Sequence, residues 1–461
     1  MLRKYTHIPL TPRGRKKGQQ LATSHKSKIE WETVKKILAA SSGNLVEWFD
    51  FYIYAFFSVY FADQFFTGTG ETGALMKSAG VFFVGFLMRP IGGYMFGRIA
   101  DRQGRKRSML IAIVMMCAGS LMFAALPTAA QVGNLAPVLM LIVRCIQGLS
   151  VGGEYGSTAT YMAEIASSGR RGFYSSFQYV TLIGGQLLAS LLAVVMTTTL
   201  GEQRIIDGWW RLPFVIGALT AVVSLWLRNG LEESVSEKEL NKKDAGTLRE
   251  LLHYPRAFFV VLGITAVGSL TFYTYTTYRQ KFLINTGGFE KGDVARTMSI
   301  CLFFFMLMQP IAGLISDRIG RKNSVLIFGI ASLIGTIPVF HWLEAQETLL
   351  GAGAIIMLIF VFESAYTSIS GILKAEMFPA HVRGLGVGFT YAVGNSLFGG
   401  SAEYVALALK NAGHPGAFPA YVTAVSAVGV IAMLFLHDSR HHSTIDNAAD
   451  SAYAKRRGAE A

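Results

Sequence analysis

Twelve apolar blocks divide the chain, and that repeat leaves it few folds to adopt. They fall at about 35–62, 74–99, 107–127, 135–163, 172–199, 211–228, 256–284, 294–316, 323–342, 348–376, 383–409 and 416–437. Each is near or above the roughly 20 residues with which a helix crosses a hydrocarbon core about 30 Å thick. In lipid the backbone must satisfy its own polar groups, and a helix does so within one segment. The composition agrees: the 461 residues are 52% hydrophobic and 15% charged, where soluble chains carry about 25% charge. The expected fold class is an all-α membrane protein with twelve transmembrane helices.

A formal net charge of +13 invites a nucleic-acid partner, but its distribution argues against one. Basic residues crowd alternate loops: "GRIADRQGRKR" (97–107), "SGRRG" (168–172), "SDRIGRK" (316–322), and the two tails. The loops around 63–77, 127–137 and 343–348 carry few cations or none. This bias places both termini in the cytoplasm and makes the lipid bilayer the expected partner. The start "RKYTHIPLTPRGRKK" has no apolar core behind it, so it reads as a basic tail without regular structure and not as a signal peptide. Cys117, Cys145 and Cys301 fall inside apolar blocks, which suggests neither disulfides nor a metal site.

The chain repeats itself. "GRIADRQGRK" (97–106) returns as "GLISDRIGRK" (313–322), and "AEIASSGRRG" (163–172) as "AEMFPAHVRG" (375–384). The plan is a tail (1–34), a six-helix half (35–228), a charged linker (229–255), a second six-helix half (256–437) and a tail (438–461). Parallel repeats of this kind build many secondary transporters, with the substrate between the halves near the midplane. Gly97 and Gly313 permit close helix packing. Asp101, Arg105, Glu164 and Arg171, with Asp317, Arg321, Glu376 and Arg383, place acids and bases in the basic loops of each half. Topology signalling needs only the bases. The acids at fixed spacing point to a cytoplasmic gate of ion pairs that break when the halves part.

The doubled G-x-x-x-D-R-x-G-R-K is similar to the signature of the major facilitator superfamily. "SSGNLVEWFDFY" (41–52), "GFLMRPIGG" (85–93), "QGLSVGGEYG" (147–156) and "FPAHVRGLGVG" (378–388) resemble its metabolite:proton symporter family. The resemblance implies two pseudo-symmetric six-helix halves and a monomer in a bacterial inner membrane. It implies proton-driven import of 2-oxoglutarate or a similar dicarboxylate, with shikimate, citrate or ketoadipate as alternatives. Arg279 and Glu363 depart from it, standing where close members carry uncharged residues.

Charges inside the blocks are costly and usually face a partner or a water-filled path. Arg89, in "LMRPIGG", lies 12 residues before Asp101, so about 18 Å in along a helix. It is either bridged to Glu47 or an anchor for an anionic substrate, since a guanidinium matches a carboxylate with two parallel bonds. The second half offers no matching cation: either Gln309 or Phe305 aligns with Arg89. All nine His lie in tails, loops or block ends, so carboxylates are left to carry the proton: Glu47, Asp50, Glu154, Glu363 and Glu403. The resemblance to proton-coupled carriers points to Asp50 in the first block paired with Arg144 in the fourth, Glu154 being next. Tyr52, Gln178, Tyr273, Tyr391 and Asn395 are candidates to line the substrate site. Arg279 and Lys374 are placed near block ends, where both are expected to snorkel toward water.

No metal cluster, nucleophile triad, cofactor loop or "GxxxxGK[ST]" is seen. A carrier driven by protons, with no cofactor, is expected ahead of an enzyme, an ATP-driven pump or a transport-inactive sensor.

Overall fold

The structure, a computed structural model, describes residues 12–68, 70–166, 169–240, 245–285, 287–436 and Ile445. Among these residues there are helices and no strands. Eleven helices are long and apolar enough to cross a membrane: Val34–Phe65, Gly80–Gln103, Arg105–Ala124, Leu135–Ile165, Arg171–Leu200, Trp209–Asn229, Pro255–Tyr278, Gly292–Ile319, Arg321–Glu344, Leu349–Ala375 and Ala417–Leu434. The remaining expected span is Ala380–Gly394 continued by Ala402–Asn411, interrupted by a π turn at Asn395–Gly399. In chain order it is the eleventh of twelve. Below, spans are numbered from one to twelve.

One expectation needs correcting. The tail, expected to lack regular structure, is helical from Pro12 and runs without a break into the first span; Lys, Arg, Gln and Ala all favour helix there. The linker is mostly short pieces and is docked on the protein: Glu233 accepts from the backbone N–H of Arg105 at 2.9 Å and of Lys106 at 3.1 Å. The tail 438–461 lies outside the described residues except for Ile445.

The halves meet where span 2 packs on span 11 and span 5 on span 8. Within the first half, backbones touch at glycines. A Cβ on Gly92 would stand 2.0 Å from the Leu149 carbonyl, and one on Gly152 2.1 Å from the Arg89 carbonyl. That is why "GFLMRPIGG" and "QGLSVGGEYG" carry glycine at these positions: span 2 and span 4 pack closer than any side chain allows. The outward faces are apolar, with Leu191, Val223, Trp226, Phe303, Ile334 and Leu350 all exposed. On a membrane protein this is the face that meets lipid.

Candidate functional site

Pro90 sets up the centre of the molecule. It has no N–H, so the carbonyl four residues back, Phe86, loses its helical partner. The helix breaks at Met88 and restarts at Arg89. The second half supplies the missing donor: the Ser396 hydroxyl donates to the Phe86 carbonyl at 2.7 Å. One turn later the Arg89 guanidinium, 2% exposed, lies 3.8 Å from the Phe86 ring centre and 4.8 Å from that of Phe51. Among the described residues no carboxylate bonds it. Glu47 lines the same small void as Arg89, with Trp48, Tyr155 and Tyr391, yet Glu47 Oε1 and Arg89 Nε have no hydrogen-bond partner. The Glu47 bridge is therefore not formed in this state.

Behind Arg89 a second void is shared with Asp50, Arg144 and Gln147. Asp50 and Arg144 are not in direct contact as an ion pair; Gln147 stands between them. Arg144 donates to Gln147 Oε1 at 2.9 Å, and Gln147 Nε2 donates to Asp50 Oδ2 at 2.6 Å. Ser120 donates to Asp50 Oδ1 at 2.5 Å. The amide has only one way round, because a guanidinium can only donate. Its carbonyl faces Arg144 and its NH2 faces Asp50, so Asp50 Oδ2 is an acceptor. The Arg144 guanidinium also lies 4.2 Å over the Tyr54 ring, which shields it from lipid.

Glu154 is held differently. Arg228, at the end of span 6, grips both its oxygens, at 2.9 Å to Oε2 and by a second short bond to Oε1. Thr158 adds a bond to Oε1 at 2.7 Å. Arg228 also reaches the carbonyls of Met109 and Ala40, tying spans 1, 3, 4 and 6 together. A carboxylate with this many donors is the structural brace of the half.

The expected lining residues gather at the centre, unevenly. Tyr273, on span 7, faces Arg89 and Asn395, and the Tyr273 hydroxyl and Asn395 Nδ2 close no hydrogen bond. Tyr391 stacks on Tyr155 with ring centres 3.4 Å apart, at 11°. The Tyr52 hydroxyl is buried without a partner. Gln178 lies off the Arg89 void, donating to the Tyr155 carbonyl at 3.3 Å and abutting Gly371.

Two cations do not reach water as expected. Arg279 and Lys374 are fully buried and do not snorkel. Span 7 switches to a π turn at Thr274–Tyr278 just before Arg279. There the guanidinium stacks 3.5 Å from the Phe340 ring centre, and none of its nitrogens has a hydrogen-bond partner. Span 10 breaks at Ser368–Ile369, and its last turn, Ser370–Ala375, folds in under the first half. That break carries Lys374 inward. Glu363 is also buried, with Thr271 donating to it at 3.2 Å. Gln147, Ser120, Arg228, Ser396 and Tyr155 are parts of this centre that spacing did not single out. Gln147 falls three residues after Arg144, on the same helix face, and that was the available signal.

At the basic end the halves are latched twice. Asp101 accepts from the backbone N–H of Gly384 and of Leu385, both at 2.8 Å. Asp317 accepts from Gly172 at 2.8 Å and Phe173 at 3.0 Å. Arg105 pairs with Asp101, and Arg321 with Asp317 at 2.8 Å. Glu164 joins Arg105 at 3.3 Å to Arg383 at 2.7 Å. Arg171 and Glu376 are buried in the same layer. Gly97 and Gly313 make the latch possible: a Cβ on Gly97 would stand 2.7 Å from Leu385 Cα, and one on Gly313 2.5 Å from the Gly172 carbonyl. The opposite end holds a cavity of about 460 Å³, lined among others by Tyr52, Phe86, Gln186, Tyr273, Thr277 and Glu403, that leads toward the centre.

Comparison with known proteins gives one family. Residues 40–402 match the Major Facilitator Superfamily. The chain is 54% identical over 401 residues to the alpha-ketoglutarate permease of Escherichia coli (strain K12), covering 87% of this chain and 93% of that protein. It is 30% identical to the citrate-proton symporter of Salmonella typhi, covering 90% and 97%. Among solved structures, the proton:xylose symporter bound to 6-bromo-6-deoxy-D-glucose aligns with a TM-score of 0.76 at 18% identity, covering 90% of this chain and 98% of that one.

Proposed function

The chain belongs to the major facilitator superfamily, and from that premise we propose that it imports 2-oxoglutarate, or a dicarboxylate very like it, together with protons, across a bacterial inner membrane by alternating access. The observation that carries this reading is Arg89: a buried guanidinium between the two halves, free of any carboxylate contact among the described residues and facing polar groups with bonds to spare. A protein does not hold such a cation at the midplane without use for it. The likeness to a permease for alpha-ketoglutarate supports the choice of anion.

Substrate enters through the cavity at the end opposite the latches and, once Phe51 and Phe86 move aside from the guanidinium they cover, sets a carboxylate on Arg89. Tyr273 and Asn395, on the second half, then have an acceptor to bond, and this draws the halves together at that end. The proton goes to Asp50. Once Asp50 Oδ2 carries it, that oxygen donates and can no longer accept from Gln147. Gln147 must turn or withdraw, and its hold on Arg144 loosens. The chain Asp50–Gln147–Arg144 thus reports the proton to span 4, whose lower turns carry Tyr155 and Glu164 to the half-interface and the latch. The basic end is the cytoplasmic one, so parting of the Asp101 and Asp317 latches releases substrate inside the cell.

The test is uptake of labelled 2-oxoglutarate into liposomes holding the purified protein, with acid outside. The reading expects accumulation that a protonophore abolishes. It expects unlabelled 2-oxoglutarate to compete better than succinate, citrate or shikimate. Uptake indifferent to the pH gradient, or stronger competition by citrate, would contradict it.

A further inference from the structure

Lys374 is fully buried at the plane where the halves meet. It donates to the Tyr155 hydroxyl, across the interface, at 2.8 Å and to Ser370 at 2.5 Å. It lies 4.8 to 5.4 Å from the ring centres of Tyr391, Tyr155 and Tyr366. Among the described residues no carboxylate reaches it. Neutral oxygens and ring faces are weaker partners for an ammonium than a carboxylate is. A lysine confined to them in the interior is poised to exchange them for an anion.

Its position says when. Tyr155 and Tyr391 form the stack that lines the Arg89 void, and Lys374 touches both rings. Arg89 therefore shares a void with the ring pair that Lys374 touches. By chain depth Arg89 is near the midplane, while Lys374 is two residues from Glu376 in the latch layer. One ring belongs to each half. When the basic end opens, the halves part along that plane, and the Tyr155–Lys374 bond lies across it. The lysine then loses its partner on the other half and keeps only Ser370, as the way between it and Arg89 clears.

We propose that Lys374 is a second anion anchor, which receives the distal carboxylate of the substrate as the basic end opens and makes the carrier select dicarboxylates over monocarboxylates. The proposal rests on the function proposed above. Two cations of different type, one on each half, match two carboxylates at the ends of a short chain. A monocarboxylate satisfies Arg89 alone and leaves Lys374 with no anion.

The test compares 2-oxoglutarate with 2-oxopentanoate, in which a methyl replaces the distal carboxylate. Binding is measured calorimetrically at fixed pH on the purified protein and on Lys374→Met, Lys374→Gln and Lys374→Arg. Wild type should prefer 2-oxoglutarate. Either neutral variant should lose about ten- to hundredfold of affinity for 2-oxoglutarate, the worth of a charged hydrogen bond, and keep that for 2-oxopentanoate. Lys374→Arg should retain most of the preference. A neutral variant with the wild-type preference, or one that weakens both ligands equally, overturns the proposal and leaves the transport reading standing. Wild type that binds neither ligand overturns that reading and the proposal with it. If Lys374→Met does not fold, Lys374→Gln keeps polar partners for Tyr155 and Ser370 and serves the same comparison.

Discussion

The two halves share a plan but, Arg89 and Glu47 apart, treat buried charge in opposite ways. In the first half Asp50 accepts from Ser120 and Gln147, Gln147 holds Arg144, and Glu154 is gripped by Arg228. In the second half Arg279 has no hydrogen bond, Lys374 rests on neutral oxygens, and Glu363 has a threonine. At the basic end the halves are alike again, each presenting an aspartate to two backbone N–H groups of the other. Gene-level duplication explains the likeness of the latches, which both halves need equally. In the function we propose, the first half handles the proton and anchors the substrate at Arg89, and the second closes on the substrate.

The largest effect expected is at the brace. Removing one partner of a buried pair leaves a bare charge, at a cost of about 3–5 kcal/mol. Glu154→Gln should therefore unfold at a clearly lower temperature in detergent, and Glu154→Leu with Arg228→Met should recover most of the loss. A Glu154→Gln protein of normal stability would break the contrast, because it would release Glu154 for other work.

Next is Arg89. Arg89→Gln should lose about ten- to hundredfold of affinity for 2-oxoglutarate, from the missing charged hydrogen bonds. Arg89→Lys should lose most of this too, since it keeps the charge without the planar fork. Pairing Arg89→Gln with Glu47→Gln should rescue nothing. Rescue, read by direct binding at fixed pH, would make Arg89 a structural bridge.

The latches come third. Asparagine offers one acceptor and turns an NH2 toward the second backbone N–H. Asp101→Asn and Asp317→Asn should each cost about 1–3 kcal/mol of closure and speed thiol labelling of a cysteine placed in the closed basic-end path by about tenfold or more. Similar acceleration in both sharpens the symmetry; an effect in one alone breaks it.

The smallest effect is at Arg279. Arg279→Met removes a cation that has no polar partner, forfeiting a ring contact of about 0.5–2 kcal/mol while relieving the desolvation of a buried charge. The thermal midpoint should stay or rise. A sharp fall would show that the second half pairs its charges as the first does.

How much of this was readable in the chain follows from what each feature depends on. The spans were readable because length and apolarity are local, and the latches because the duplicated motif repeats acids at fixed spacing. Arg89 and Asp50 stood out as lone charges in apolar blocks. Arg228 did not: at the end of span 6 it looks like any interfacial cation, and only the packing of span 6 on spans 1 and 3 brings it to Glu154. That Lys374 and Arg279 are buried and do not snorkel is not legible in the chain, because it depends on how the helix ends pack. The break at Ser368–Ile369 and the π turn at Thr274–Tyr278 redirect the chain, and neither is announced by a proline. Ser396 belongs with Pro90 only through a contact between halves 310 residues apart in sequence.

The central claim is that the first half carries the proton, at Asp50, and the measurement that tests it most directly is transport by Asp50→Asn in liposomes. Asparagine keeps the size of the side chain and an acceptor for Ser120 or Gln147, but it cannot take up or release a proton. The account predicts that gradient-driven accumulation of 2-oxoglutarate vanishes while exchange of labelled for unlabelled 2-oxoglutarate persists. Accumulation at the wild-type level by Asp50→Asn would contradict it and move the proton to another carboxylate.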